Sequence, residues 1–180
     1  MTILSTPHGK VSIRVATTED APSLYKLRLE ALTTNPEAFA ADADKAAANG
    51  VEAWVQRVDE YSQDHSSVII VAGIASQLVG MTGITRGYSK KTLHSGIVWG
   101  VYVSPAWRRL HIAEAILENV INWSRDHSLI VLKLGVLTIN EPAIACYHRC
   151  GFLIYGTEPK SNYYDGIYYD EYLMARLIGD

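Results

Sequence analysis

The chain has 180 residues, of which 48% are hydrophobic and 19% are charged, and its formal net charge at pH 7 is −3. This composition excludes a disordered chain, and the negative balance gives no basic field that would recruit nucleic acid or an acidic membrane surface. The length fits a single domain with a sizeable core. We therefore expect one domain over residues 1–180 that acts on a small or weakly charged partner.

No membrane segment or metal site is expected. No stretch approaches the roughly 18 apolar residues of a membrane span, and the N-terminus lacks a charged start followed by an apolar run. A cytoplasmic location is the resulting expectation. Cys146 and Cys150 are four residues apart in a segment with helical periodicity, so we expect them to pack on one face rather than to form a disulfide or bind a metal.

The N-terminal half predicts a strand, helices and then three consecutive strands. Leu24, Leu27 and Ala31 share one face of the first helix, which Asn35 and Pro36 end. The predicted elements are, in chain order, a strand over 11–15, a helix over 21–32, helical segments over 38–48 and 51–61, and strands over 68–74, 78–85 and 95–103. Short polar turns separate the last three strands, which favours an antiparallel meander.

The C-terminal half alternates between the two patterns. Its predicted elements are a helix over 109–125, a strand over 130–137, a helix over 140–149 closed by Gly151, and strands over 152–155 and 168–177. The whole order predicts a mixed α/β (α+β) fold, with a mostly antiparallel sheet of six to seven strands flanked by about four helices.

The segment from Val98 to Glu118 is the most informative part of the chain. An apolar strand ends at Pro105, and a stripe of apolar residues at helical spacing follows two arginines, Arg108 and Arg109. A helix that starts after a strand presents unpaired N–H groups and the positive end of its dipole, which suit an anion. The segment therefore predicts a phosphate-binding corner, with a solvated basic turn as the alternative.

Two longer segments carry a family resemblance. They are Val101-Tyr-Val-Ser-Pro-Ala-Trp-Arg-Arg-Leu-His-Ile-Ala113 and Asn140-Glu-Pro-Ala-Ile-Ala-Cys-Tyr-His-Arg-Cys-Gly-Phe152. With the order of the elements, they make the sequence resemble the GCN5-related N-acetyltransferase (GNAT) superfamily over nearly its whole length. The resemblance implies an enzyme that transfers an acetyl group from acetyl-CoA, as co-substrate, to a primary amine of a small molecule, a peptide or a protein.

The resemblance also implies which residues bind the cofactor. The pyrophosphate of CoA is expected over the loop from Arg108 to Ala113, and the pantetheine arm along the preceding strand and near Asn140. His111 stands where the family has Gly, and its Cβ restricts positive φ. A helical backbone at that position would accommodate His111 and leave its ring for a phosphate. The implied cofactor-binding residues are Val101, Tyr102, Val103, Arg108, Arg109, His111, Ile112, Ala113 and Asn140.

The resemblance places Tyr147 close to the CoA sulfur. A neutral phenol can protonate the departing thiolate, so Tyr147 is the candidate catalytic acid. The residues alone leave a second interpretation open for two of these positions, with Tyr147 as a core aromatic residue and Asn140 as a helix N-cap. No base is assigned, because the strand Ser95–Val103 carries no carboxylate and Glu30 is a candidate only by its position.

The sequence leaves several alternatives open. A catalytically weak or inactive CoA-binding regulatory module fits the replacement at His111, and a doubly wound nucleotide-binding domain also places phosphate at a helix start. The run Asn162–Tyr172 contains five tyrosines and predicts an edge strand or a substrate-side rim, and such an edge is compatible with a homodimer.

Overall fold

The computed structural model describes residues 1–64 and 66–179. Its strands are β1 (Thr2–Thr6), β2 (Gly9–Val15), β3 (Ser67–Ile74), β4 (Gln77–Arg86), β5 (Ser95–Val103), β6 (Val131–Leu137), β7 (Leu153–Tyr164) and β8 (Ile167–Leu177). Its α-helices are α1 (Ala21–Thr34), α2 (Ala43–Asn49), α3 (Glu52–Asp64), α4 (Ile112–Asp126) and α5 (Glu141–Arg149).

The strands of these described ranges form one sheet in the order β1-β2-β3-β4-β5-β6-β8-β7. Every neighbouring pair is antiparallel except β5 and β6. The predicted mixed, mostly antiparallel fold is therefore confirmed, with eight strands and five α-helices rather than six to seven and four. A doubly wound nucleotide-binding domain is wrong for this chain, because that fold requires a mostly parallel sheet.

The additional strand pairing comes from two hairpins at the edges of the sheet. Gly9, with φ of +117°, lets the chain turn back so that β1 pairs with β2. Asp165 and Gly166 both have positive φ and form the tight turn between β7 and β8. The sequence prediction ended the strand after Tyr155, but β7 continues through two register irregularities to Tyr164. Of the five tyrosines predicted for an edge strand, two lie on the edge strand β7, and the other three lie on β8, between β6 and β7.

Apolar residues pack on both faces of the sheet. On one face, the predicted stripe of α4 is confirmed, because Ile112, Ile116 and Val120 are at most 1% exposed within the larger core cluster. On the other face, α1 and α3 cover β3 and β4 with a second cluster. Helix α4 begins at Ile112 and not at Arg109, so both arginines lie in the loop before it. No described helix combines the length and apolarity needed to cross a membrane.

The pairing between β5 and β6 ends early. Only Ser95–Ile97 pair with Val131–Lys133, after which β6 pairs only with β8. On its other side, β5 pairs with β4 as far as Val103, through a register shift beside Gly100, whose φ is +64°. The second half of β5 therefore has one unpaired edge, which faces a gap between the two strands.

Gly83 is required by the side chain that crosses it. A Cβ on Gly83 would overlap the ring of Trp99, whose Nε1 donates to Thr85 Oγ1 at 2.9 Å. We expect Gly83→Ala to displace this ring and to lower the free energy of unfolding by about 1–3 kcal/mol, measured by urea denaturation. Gly156→Ala is the control, because its Cβ would meet Leu173 at an ordinary 3.7 Å. Equal stability of the two variants would contradict the requirement for glycine at position 83.

Candidate active site

The unpaired edge of β5 presents backbone groups to the gap. The N–H of Ser104 donates to Val79 O on β4 at 2.9 Å. Because successive residues of a strand point to opposite edges, the backbone groups of Val103 and Val101 face the gap. Tyr102 faces β4 instead, with Met81 as its partner, and its side chain packs with the cluster under α1. Of the three predicted strand residues, the two valines therefore have backbone donors available to a ligand in the gap.

The loop between β5 and α4 turns through two left-handed residues. Arg109 has φ of +64°, and His111, the N-cap of α4, has φ of +58° and ψ of +20°. The backbone N–H groups from Arg109 to Ala113 form no hydrogen bond with any described residue. Together these five N–H groups form a row of donors at the positive end of α4, the arrangement that binds phosphate groups, and we call this row the cradle.

His111 differs from the expectation for a helical backbone. Its left-handed conformation is the one for which the family uses Gly, and a histidine there stores backbone strain. Its ring also has a partner, because Nδ1 lies 3.3 Å from Glu114 Oε1. The positive φ thus places the His111 backbone in the cradle, while its side chain is held at the surface of α4.

The two arginines of the loop have different partners. Arg108 donates from Nε to Val103 O at 3.1 Å and from Nη2 to Asn35 Oδ1 at 2.8 Å. These bonds tie the loop to β5 and to the end of α1, so Arg108 positions the loop rather than extending into it. Arg109 is exposed and forms no hydrogen bond or ion pair with a described residue. Its guanidinium is therefore available to an anion at the cradle.

Glu114 joins the first turn of α4 to α5. Arg149 donates to Glu114 Oε1 from Nε at 3.1 Å and from Nη2 at 2.6 Å. Burial opposes ionisation of Glu114, but the hydrogen bonds from Arg149 and His111 outweigh it and lower the pKa of this carboxyl. The ion pair fixes the position of α5, which carries two of the predicted site residues, relative to the cradle.

Asn140 and Tyr147 occupy the two ends of α5. The side chain of Asn140 accepts a hydrogen bond from Ala143 N at 3.3 Å, which confirms its role as an N-cap. Tyr147 is 7% exposed, and its ring meets Phe152 edge-on with 6.1 Å between centroids. Its hydroxyl has no hydrogen-bond partner among the described residues. Burial raises the pKa of Tyr147, as do the neighbouring Cys146 and Cys150, so the phenol is neutral at pH 7.

The face of the sheet under α1 holds a carboxylate that the sequence did not single out as a site residue. Glu171 lies on β8 opposite Leu137, and its carboxyl occupies the space where a Cβ on Gly135 would stand. Ser161 donates to Glu171 Oε2 at 3.1 Å. Burial raises the pKa of Glu171, and the negative charge of Glu158 adds to this effect. Glu171 forms no ion pair with a described residue.

A cleft of about 590 Å³ opens beside this carboxylate. It lies between the segment that links α1 to α2 and strand β7, where Asn162 Nδ2 donates to Glu37 O at 3.3 Å. Ser161 and Phe39 are among its lining residues, which connects the cleft to Glu171 on one side and to α1 on the other. Glu30, considered as a base from its position, instead accepts a hydrogen bond from the Tyr102 hydroxyl at 3.1 Å.

Comparison with known proteins agrees with this geometry. Residues 23–152 match the model of the acetyltransferase (GNAT) family. The chain is 35% identical over 112 residues to the L-amino acid N-acetyltransferase AaaT of Escherichia coli, across 60% of this chain and 67% of that protein.

Solved structures agree in fold. A GNAT-family acetyltransferase from Streptococcus pneumoniae has a TM-score of 0.83 at 24% identity, covering 94% of this chain and 99% of that one. The yncA protein of Salmonella typhimurium, solved with its cofactor acetyl-CoA, has a TM-score of 0.76 at 18% identity, covering 94% and 95% of the two chains. The chain therefore belongs to the GNAT family, the acetyltransferases that use acetyl-CoA, as its two matching segments implied.

Proposed function

We propose that residues 1–180 form one acetyltransferase domain, which acetylates a primary amine by direct attack. The observation that carries this proposal is the presence of unpaired N–H groups in two neighbouring segments, the loop before α4 and the free edge of β5. When bound, acetyl-CoA supplies an activated acetyl thioester. A row of donors at a helix start followed by a strand edge fits a ligand with a pyrophosphate at one end and an amide-containing arm.

The cofactor-binding residues that we propose divide into backbone and side-chain donors. Arg109, His111, Ile112 and Ala113 offer their N–H groups, and Arg109 adds its unpaired guanidinium. Val101 and Val103 offer the edge of β5, and Asn140 lies at the start of α5 beside the gap. Arg108 and Tyr102 support this surface, because Arg108 holds Val103 O and lies over the Tyr102 ring at 5.7 Å.

Two residues carry the proton transfers in this proposal. The Glu171 carboxylate takes a proton from the acceptor ammonium, and its raised pKa brings it closer to neutral pH than an ordinary carboxylate. As the amine nitrogen bonds to the acetyl carbon and the carbon–sulfur bond breaks, Tyr147 donates its proton to the departing thiolate, and the second proton that the nitrogen loses restores the phenol. The buried phenol, with no competing hydrogen bond, suits the role of an acid that is protonated at rest.

The acceptor is a small-molecule or peptide-borne amine in this proposal, bound on the side of the sheet that carries the cleft and Glu171.

A homodimer built on the exposed edge of β7 stays a prediction. The regulatory alternative has no supporting finding, and thiol release from acetyl-CoA in the presence of amines distinguishes it from catalysis.

The proposed acid is tested by Tyr147→Phe in that thiol-release assay. We expect release with a broad panel of primary amines, and a decrease in kcat of about 10²-fold in the variant, because an acid catalyst contributes this order of rate. Calorimetry should find its acetyl-CoA affinity unchanged. Tyr155→Phe, on the exposed edge of β7, is the control. Folded protein that binds acetyl-CoA without releasing thiol with any amine would overturn the proposed function.

The pH profile tests Glu171. A base must be ionised to accept a proton, so kcat/KM should fall as pH falls through the raised pKa of Glu171. Glu171→Gln should lose this inflection and about 10²-fold in kcat/KM. Glu158→Gln should shift the inflection to lower pH, because it removes a negative charge that raises the pKa. Retention of the inflection in Glu171→Gln would exclude Glu171 as the base.

His111 offers a test of the cradle. His111→Gly should relieve the cost of a left-handed residue and keep full acetyl-CoA affinity, because the backbone donors remain. His111→Val should weaken acetyl-CoA binding and lower the free energy of unfolding by about 1–3 kcal/mol, since a β-branched residue tolerates this conformation worst. Calorimetry and urea denaturation measure both effects. Equal behaviour of the two variants would show that the observed φ is not needed for binding.

A further inference from the structure

One partly buried cation on α1, Arg28, has no ion-pair partner among the described residues. The Nη1 atom of Arg28 is buried and has no hydrogen-bond partner among the described residues. Burial, with the nearby charge of Arg57, lowers the pKa of Arg28 to about 10, so the guanidinium remains charged at neutral pH. A desolvated cation without a partner is costly, and a native protein tolerates it where a ligand supplies the missing charge.

Aromatic rings and a second cation lie around Arg28. Its guanidinium lies over the ring of Phe39 at 4.8 Å, and Arg57 lies over the ring of Trp99 at 5.6 Å. Neither arginine forms an ion pair within the described ranges 1–64 and 66–179. Glu30, two residues further along α1, is held by Tyr102. Two cations with aromatic contacts and no ion-pair partner among the described residues make this cluster a candidate subsite for an anionic group.

Arg28 lies at the inner end of the gap beside β5. Its Nη1 is 3.6 Å from the position that a Cβ on Gly100 would occupy. Gly100 lies three residues after Ile97, the last residue of β5 that pairs with β6. Gly135 lies two residues after Lys133, the last residue of β6 that pairs with β5. At about 3.3 Å per residue, both glycines lie a similar distance into the gap. Arg28 and Glu171 therefore lie on opposite sides of the same opening, on the same face of the sheet.

We propose that the acceptor is a small primary amine bearing one carboxylate, and that Arg28 binds this carboxylate while the amine faces Glu171. The proposal rests on the proposed function and names its substrate class. A polyamine would bring only positive charge to the unpaired guanidinium. A phosphate group would bring excess negative charge to a cleft already lined by Glu37, Asp42 and Asp44. One carboxylate neutralises Arg28 and permits two charge-assisted hydrogen bonds.

Matched acceptors with and without the carboxylate test this recognition. We expect kcat/KM for L-leucine and L-phenylalanine to exceed that for isoamylamine and phenethylamine by at least tenfold. In Arg28→Gln the ratio for each pair should fall towards one, and comparing ratios cancels the difference in amine basicity. Lys26→Gln removes an exposed charge from the same helix and should keep the ratio of the unaltered protein. Equal use of the paired acceptors by the unaltered protein would overturn the inference while leaving acetyl transfer intact.

Measurements of unfolding temperature and of acceptor binding distinguish a role of Arg28 in substrate recognition from a structural role. If Arg28 serves a ligand, Arg28→Gln should unfold at an equal or higher temperature, because it removes an unpaired buried charge. A lower unfolding temperature with unchanged acceptor ratios would assign Arg28 to packing against Phe39 and contradict the inference. Calorimetric titration of L-leucine into the CoA-saturated protein gives a readout without turnover. If no amine releases thiol, the proposed function fails. Even then, a loss of L-leucine affinity in Arg28→Gln but not in Lys26→Gln would show that Arg28 binds the carboxylate.

Discussion

The early end of the pairing between β5 and β6 is the constraint on which the rest of the site depends. A parallel pair that continued to Val103 would use the backbone groups of β5 within the sheet and leave no donor for a ligand. Because pairing stops at Ile97, an eight-stranded sheet contains an interior edge, protected from other chains by its position. The bulge at Gly100 lies within this edge, and the loop before α4 continues it outward.

Several side-chain hydrogen bonds fix the elements around that edge. Arg108 bonds Val103 O and Asn35, so the loop, the strand and the end of α1 are joined by one side chain. Glu114 and Arg149 fix α5 against α4 on the other side of the sheet. The two groups proposed for proton transfer therefore belong to separate elements, with Tyr147 on a helix over one face and Glu171 on a strand whose carboxyl faces the other. The gap between the strands is the place where both faces are accessible.

Local patterns in the sequence predicted the elements and the cofactor side of the site. The apolar stripe of α4 and the cap of α5 follow from spacings within a single helix, and the two family segments each lie within one stretch of chain. The acceptor side depends on contacts between distant residues. Arg28 meets Gly100, and Glu171 meets Gly135, only through the register of the strands, which no spacing in the sequence specifies. The left-handed backbone at His111 was equally hidden, because a histidine does not indicate positive φ as glycine does.

The contact between Gly135 and Glu171 has a consequence for how this sequence can vary. The carboxyl of Glu171 occupies the volume that a larger residue at 135 would need. Because this carboxyl is the end of a flexible side chain, a side chain at 135 would be accommodated by turning it away. A substitution at Gly135 would therefore redirect the group that is proposed to accept the amine proton, without any change at Glu171 itself.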